Sequence, residues 1–356
     1  MKRIVVLFIL TVLFTVINGY AQQFTPPIQN FSSTQFNAAS QNWDVSIDDK
    51  GIVYAANNQG LLSYDGQRWE FFPLKSGSTI RSVHATQGRI YTGSYQEFGY
   101  WSRDDTGKMN YTSLTGLLGE TDFKSEEIWE ILSYKGGVYF RSFGTIYKYK
   151  DDYIEVIRNG VINKMFVYKD RLLLAVGRDG LFFLNPDGSL GPIPNQELLV
   201  GKEVLDMVVL KDKLLIGTRK NLYVFDGERV EQYGNESLNR EIDRYELNRI
   251  MKLNEEEVII GTIKNGIIHY NTSTGNYEIY NRNSGLQNNT VLSMAAFGGA
   301  VWLGLDNGID RIDFNSPFSF FTDASGELGT VYDIAIFKDK LYLASNTGVY
   351  WLEGNG

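Results

Sequence analysis

Apolar residues in this chain come in short runs separated by polar turns rich in Gly, Asn and Asp. One phrase recurs along its whole length. An apolar strand is followed by a short polar turn, a second apolar strand ending in small residues, a Gly turn and a third strand. The first copy reads WDVSI at 43–47 and then GIVYAANNQGLLSYDG at 51–66. Later copies begin at 80, 128, 162, 204, 247, 291 and 331, with spacings of 34 to 48 residues. Their second strands end alike: LLIGT at 214–218, VIIGT at 258–262, VWLGL at 301–305, LYLAS at 341–345. A weaker fourth strand shows in places, as in WEFF at 69–72 and YEIY at 277–280.

Four short antiparallel strands repeating every ~40–50 residues are the signature of a β-propeller blade. The pattern therefore predicts an all-β propeller of four-stranded blades, seven complete and an eighth begun. Small residues ending the second strand would let neighbouring blades approach closely. Asn-Gly or Asp-Gly after them would set tight hairpins. No period near 3.6 is sustained, which excludes a helical fold. A β-solenoid is the rival, but its repeats are nearer ~20–30 residues. The eighth copy stops at WLEGNG (351–356) without a fourth strand. Either the chain is a piece of something longer, the reading we favour, or IQNF at 28–31 supplies the closing strand.

The N-terminus changes the compartment. Lys2 and Arg3 precede an apolar run at 4–17, and Asn18, Gly19, Tyr20 and Ala21 follow. This is a secretory leader, too short for a span of ~20 residues. Residues 1–21 are expected to be cleaved, leaving a propeller domain at 22–356. The chain has no cysteine. Disulfides, Cys-ligated metals and thiol catalysis are excluded, so the exported fold rests on packing alone. Net charge is −8 with no basic run beyond the leader, which argues against nucleic-acid binding.

Chemistry is sparse. The two histidines, His84 and His269, both sit in strands, and no nucleophile elbow, phosphate loop or dinucleotide fingerprint occurs. We expect no enzyme, cofactor or metal. One column stands out. At the start of each first strand, Trp43, Arg81, Trp129, Asn163, Leu205, Asn248, Leu292 and Tyr332 vary in chemistry. First strands lie innermost in a propeller, so this column approaches the channel mouth. Trp43, Arg81, Trp129, Asn163, Asn248 and Tyr332 are the candidate ligand contacts. Their flat faces and fixed donors suit a sugar. Inter-blade packing is the competing use of each.

The opening phrase, with PIQNF at 27–31, QNWD at 41–44 and NNQGLLSYDG at 57–66, resembles Bacteroidetes regulators with two-component-regulator propeller repeats. IYTGSYQEFGYW at 90–101 and SGLQNNTVLSM at 284–294 strengthen the likeness. The resemblance implies a non-enzymatic periplasmic sensor module that binds an oligosaccharide. It implies, further along the full-length protein, a triple-tyrosine domain, one membrane-spanning helix and a kinase or DNA-binding output. A homodimer is an allowed assembly. A propeller-type enzyme (lyase, lactonase or quinone-dependent dehydrogenase) and a protein-binding scaffold are the alternatives.

Overall fold

The computed structural model describes residues 24–353, apart from 120–122, 124, 159, 322–325 and 339. The leader lies outside the described residues. The chain divides into two compact units, one of residues 26–317 and one that joins residues 318 onward to the N-terminal segment ending at Thr25.

The larger unit holds seven four-stranded antiparallel sheets. Their inner strands are Asn42–Ile47, Ile80–Thr86, Glu130–Tyr134, Ile162–Tyr168, Val204–Leu210, Leu247–Lys252 and Val291–Phe297. Each neighbours the next, and the last neighbours the first, so the blades form a closed ring. The apolar second strands, such as Val53–Asn57 and Ala300–Leu305, are buried along their whole length. Outer strands such as Met109–Ser113 alternate toward solvent.

The core lies between blades. One cluster joins Tyr168, Leu173 and Leu181 of the fourth blade to Met207, Leu214 and Ile216 of the fifth. Another joins Tyr91 and Phe98 of the second to Ile131, Phe140 and Tyr147 of the third. The small residues ending the second strands act as expected. A Cβ on Gly93 would stand 2.4 Å from the Ile128 Cγ2 of the next blade, and one on Gly217 would stand 2.6 Å from Ile250 Cδ1. At Gly304, where the seventh blade meets the first, the Asn42 carbonyl oxygen would lie at 3.0 Å.

The closing strand corrects the sequence reading. Ile28–Phe31 does close a sheet, but it is the seventh, not the eighth. It pairs antiparallel with Ile309–Asp313, from Ile28 opposite Ile312 to Phe31 opposite Ile309. The seventh copy was therefore one strand short, and the N-terminus completes it. Buried Phe31 stacks on Trp302 at 5.3 Å and meets Tyr64 and Trp69 of the first blade. Asp310, wholly buried, accepts from Asn30 Nδ2 at 2.8 Å, Gln287 N at 2.9 Å and Gln287 Nε2 at 2.8 Å. These bonds pin the closing strand, near the start of the chain, to the seventh blade.

A helix, Glu236–Tyr245, was not foreseen. It leads from the fifth blade to the sixth, capped by Asn235, whose side chain accepts from Leu238 N at 2.8 Å. Leu238 and Ile242, four apart, bury its inner face.

In the smaller unit, Val331–Phe337, Lys340–Ser345 and Val349–Glu353 form a three-stranded sheet. Phe24–Thr25 pairs with Phe320–Phe321. Much of this sheet's apolar surface is open: Ile334 is 60% exposed, Ile336 78% and Trp351 61%.

Candidate functional site

The variable column has a backbone cause. At the start of the inner strand the register slips between Asn42 and Asp44, Ile80 and Ser82, Ile162 and Lys164, Val204 and Asp206, Leu247 and Arg249, and Val291 and Ser293. Each slip is a β-bulge whose extra residue is left out of the ladder and re-aimed. Those extra residues are Trp43, Arg81, Asn163, Leu205, Asn248 and Leu292. In the third blade Trp129 just precedes the strand, its amide bonded to the Arg141 carbonyl at 2.8 Å.

These seven residues line one cavity of about 250 Å³, together with Asp44, Glu130, Arg141, Lys164, Arg249 and Ile263. All seven blades contribute, so the cavity lies on the ring axis. Its volume falls below the ~300–1,000 Å³ of drug-sized ligand sites, which suits a single ring or an end group. Tyr332 follows the same bulge in the eighth copy, between Val331 and Asp333. It belongs to the smaller unit, is 74% exposed and is not among the cavity's lining residues.

Beneath the bulged residues runs a polar ring that the sequence reading passed over: Asp44, Ser82, Glu130, Lys164, Asp206, Arg249 and Ser293. Its acids clamp blades together. Asp44 accepts from its neighbour Val45 N at 2.9 Å and from Val83 N of the next blade at 3.0 Å. Asp206 repeats this with Met207 N and Ile250 N, at 3.0 and 2.9 Å. Glu130 accepts from Met165 N at 2.8 Å. It also meets Arg141 Nε at 2.9 Å and Lys164 Nζ at 2.8 Å, and Lys164 reaches Asp206 at 3.2 Å.

Burial presses on all these charges. It pushes the Glu130 carboxyl up, but Lys164 and Arg141 outweigh it and hold Glu130 below the usual carboxylate range. Burial pulls Lys164 down, and Asp206 and Glu130 more than restore it. Among the described residues Asp44 has no ion pair. Burial pushes its carboxyl up to about 6, against the pull of the Val83 amide, Arg249 and Lys164.

The aromatic wall differs from expectation. Trp43 and Trp129 meet edge to face at 6.0 Å. The Arg81 guanidinium lies 4.1 Å from the Trp43 ring and 5.1 Å from that of Trp129, and Glu127 holds it through a 2.6 Å ion pair. One face of each indole is thus already covered by a cation. Trp43 Nε1 donates to Asn58 Oδ1 at 2.7 Å, whereas Trp129 Nε1 is buried with no acceptor among the described residues. Asn163 and Asn248 spend their amide NH₂ groups on the carbonyls of Gly177 and Val291. The structure therefore gathers Trp43, Arg81, Trp129, Asn163 and Asn248 about one cavity, and Tyr332 belongs to the other unit.

No family model matches the chain, and no curated protein matches it by sequence. Solved structures do match. The extracellular domain of BT4673 from B. thetaiotaomicron, named as a one-component system, superposes with a TM-score of 0.66 at 18% identity, covering 94% of this chain and 48% of its own. That of BT3049 from the same organism, named as a hybrid two-component system, gives 0.69 at 18% identity, covering 92% and 48%. What is shared is the propeller fold. These are extracellular domains of the regulator class that the sequence resembles, and this chain spans about half their length. Virginiamycin B lyase from Staphylococcus aureus shares the fold too, with a TM-score of 0.63 at 12% identity over 82% of this chain.

Proposed function

We propose that this chain is the ligand-sensing propeller module of a transmembrane signalling or transcriptional regulator, that it works in the periplasm, and that an oligosaccharide end is its ligand. The observation that carries the reading is the axial cavity, into which bulges of successive blades turn aromatic, amide and charged side chains. The likeness to extracellular domains of regulators supports a sensing role rather than catalysis. Membrane tethering, a triple-tyrosine domain and an output domain would belong to the full-length protein.

The test is calorimetric titration with an oligosaccharide panel, beside melting temperatures, for Trp129→Ala, Asn163→Ala, Asn248→Ala and the control Tyr332→Ala. Truncating a contact in a filled site costs about 2 kcal/mol, or some thirtyfold in affinity. Tyr332→Ala should leave binding unchanged. If no cavity variant alters binding, the site is refuted. If Trp129→Ala instead destabilises the fold by about 3–5 kcal/mol and leaves affinity intact, Trp129 is packing.

A further inference from the structure

The cavity's charges are unequally committed. Arg81 is paired with Glu127 at 2.6 Å, Arg141 with Glu130 at 2.9 Å, and Lys164 with Glu130 and Asp206 at 2.8 and 3.2 Å. Arg249, which lines the same cavity, has no ion pair among the described residues. Among the described residues its guanidinium makes one hydrogen bond, a local one from Nη1 to the Asn248 carbonyl at 3.0 Å. A guanidinium carries five N–H donors in a rigid fork that matches a carboxylate. Partly withdrawn from water in a cavity, it lacks the acceptor its three neighbours each have.

We propose that the cavity selects a saccharide bearing a carboxylate, and that Arg249 is the residue that reads it. This rests on the saccharide reading above. The opposite choice, a cationic ligand drawn to Asp44, is disfavoured twice. Both Asp44 oxygens already accept backbone amides, and Lys164 and Arg249 stand close enough to act on its charge. A carboxylate on the Arg249 fork would make charge-assisted bonds, which are about twice as strong as neutral ones.

The experiment is calorimetric titration of the protein with matched pairs, glucuronate against glucose and galacturonate against galactose, repeated with Arg249→Gln and Arg249→Lys. At least one acid should bind about tenfold or more tighter than its neutral partner. Arg249→Gln should erase that preference, so that each acid binds no tighter than its neutral partner on the same variant, and Arg249→Lys, a point charge without the fork, should keep part of it. Because Arg249 is tied only to its neighbour's carbonyl, both variants should melt near the parent temperature. Neutral sugars binding as tightly as the acids would overturn the inference and spare the saccharide reading. So would an acid preference that survives Arg249→Gln. If neither class binds, the saccharide reading falls and the inference with it.

Discussion

Asp310→Ala tests how the ring is closed. Asp310 is fully buried and receives three N–H donors, two of them from Gln287 and one from Asn30 of the closing strand. A hydrogen bond to a charged group contributes ~1.5–3 kcal/mol, so the gross loss is about 4.5–9 kcal/mol. Much of it is recovered. Asn30 Nδ2 keeps the Gly285 carbonyl at 3.1 Å, and Gln287 Nε2 keeps those of Phe31 and Ile309, both at 3.1 Å. Only the Gln287 amide is orphaned. The variant also avoids burying a carboxyl that burial already pushes up. The net expectation is a destabilisation of about 2–4 kcal/mol. At ~2 °C per kcal/mol for a unit of this size, the melting temperature should fall by about 4–8 °C. Hydrogen exchange gives the sharper reading: protection should drop at residues 28–31 before it drops in the inner strands. A melting shift under about 1 °C, or protection lost evenly across all blades, would refute the clasp.

Three further outcomes follow from the same geometry. Gly93→Ala should cost about 1–3 kcal/mol by equilibrium unfolding, because its Cβ would stand 2.4 Å from Ile128 and force the second and third blades apart. Truncation after Pro317 should leave the melting of the seven-bladed ring unchanged, since the ring closes on Ile28–Phe31, while removing the open apolar sheet; a fall of several degrees would contradict this. For pH, Asp44 sits near 6 when folded against 3.8 as a free side chain, so the folded state holds its proton more tightly. Its stabilising contribution is complete below about 3.8 and is lost as pH rises through 6. The full shift is worth ~3 kcal/mol, reduced to about 1–2 by water in the cavity. Relative to the parent, Asp44→Asn should gain that amount between pH 4 and pH 7.5 in denaturant titrations, whereas parallel curves would show that Asp44 is not the titrating group.

The propeller was legible because strand, turn and small residue recur in fixed order, and each recurrence has a local cause. The mouth column was legible for a related reason: it falls at the same place in every repeat while its chemistry varies. Its geometry was not, since a bulge is set by pairing with the second strand and leaves no mark at Asn163 or Asn248 alone. The ring of Asp44, Glu130, Lys164, Asp206 and Arg249 was visible one position further on. It escaped because a charged residue in a strand carries no sign of a partner that lies on another blade. Arg81 between two indoles was out of reach, because Glu127, which holds it, is 46 residues away. Trp43 and Trp129 were accordingly read as bare stacking faces. The closing strand was misassigned by one blade, since IQNF carries no sign of which sheet edge it will meet.

That closure imposes an order in time. Ile28 pairs with Ile312, so the ring's first-made strand must wait for almost the whole ring before its partner exists. At ~5–20 residues per second, synthesis alone sets a delay of about 15–60 s. Contacts this distant in sequence are also among the slowest to form. Throughout that interval Phe31 is without its Trp302 stack and the Ile309–Asp313 edge is without its partner. The nascent chain is then an open arc with two complementary sticky ends. Two such arcs at high concentration can exchange their first strands, so folding yield should fall with protein concentration even though the finished ring has no free edge there.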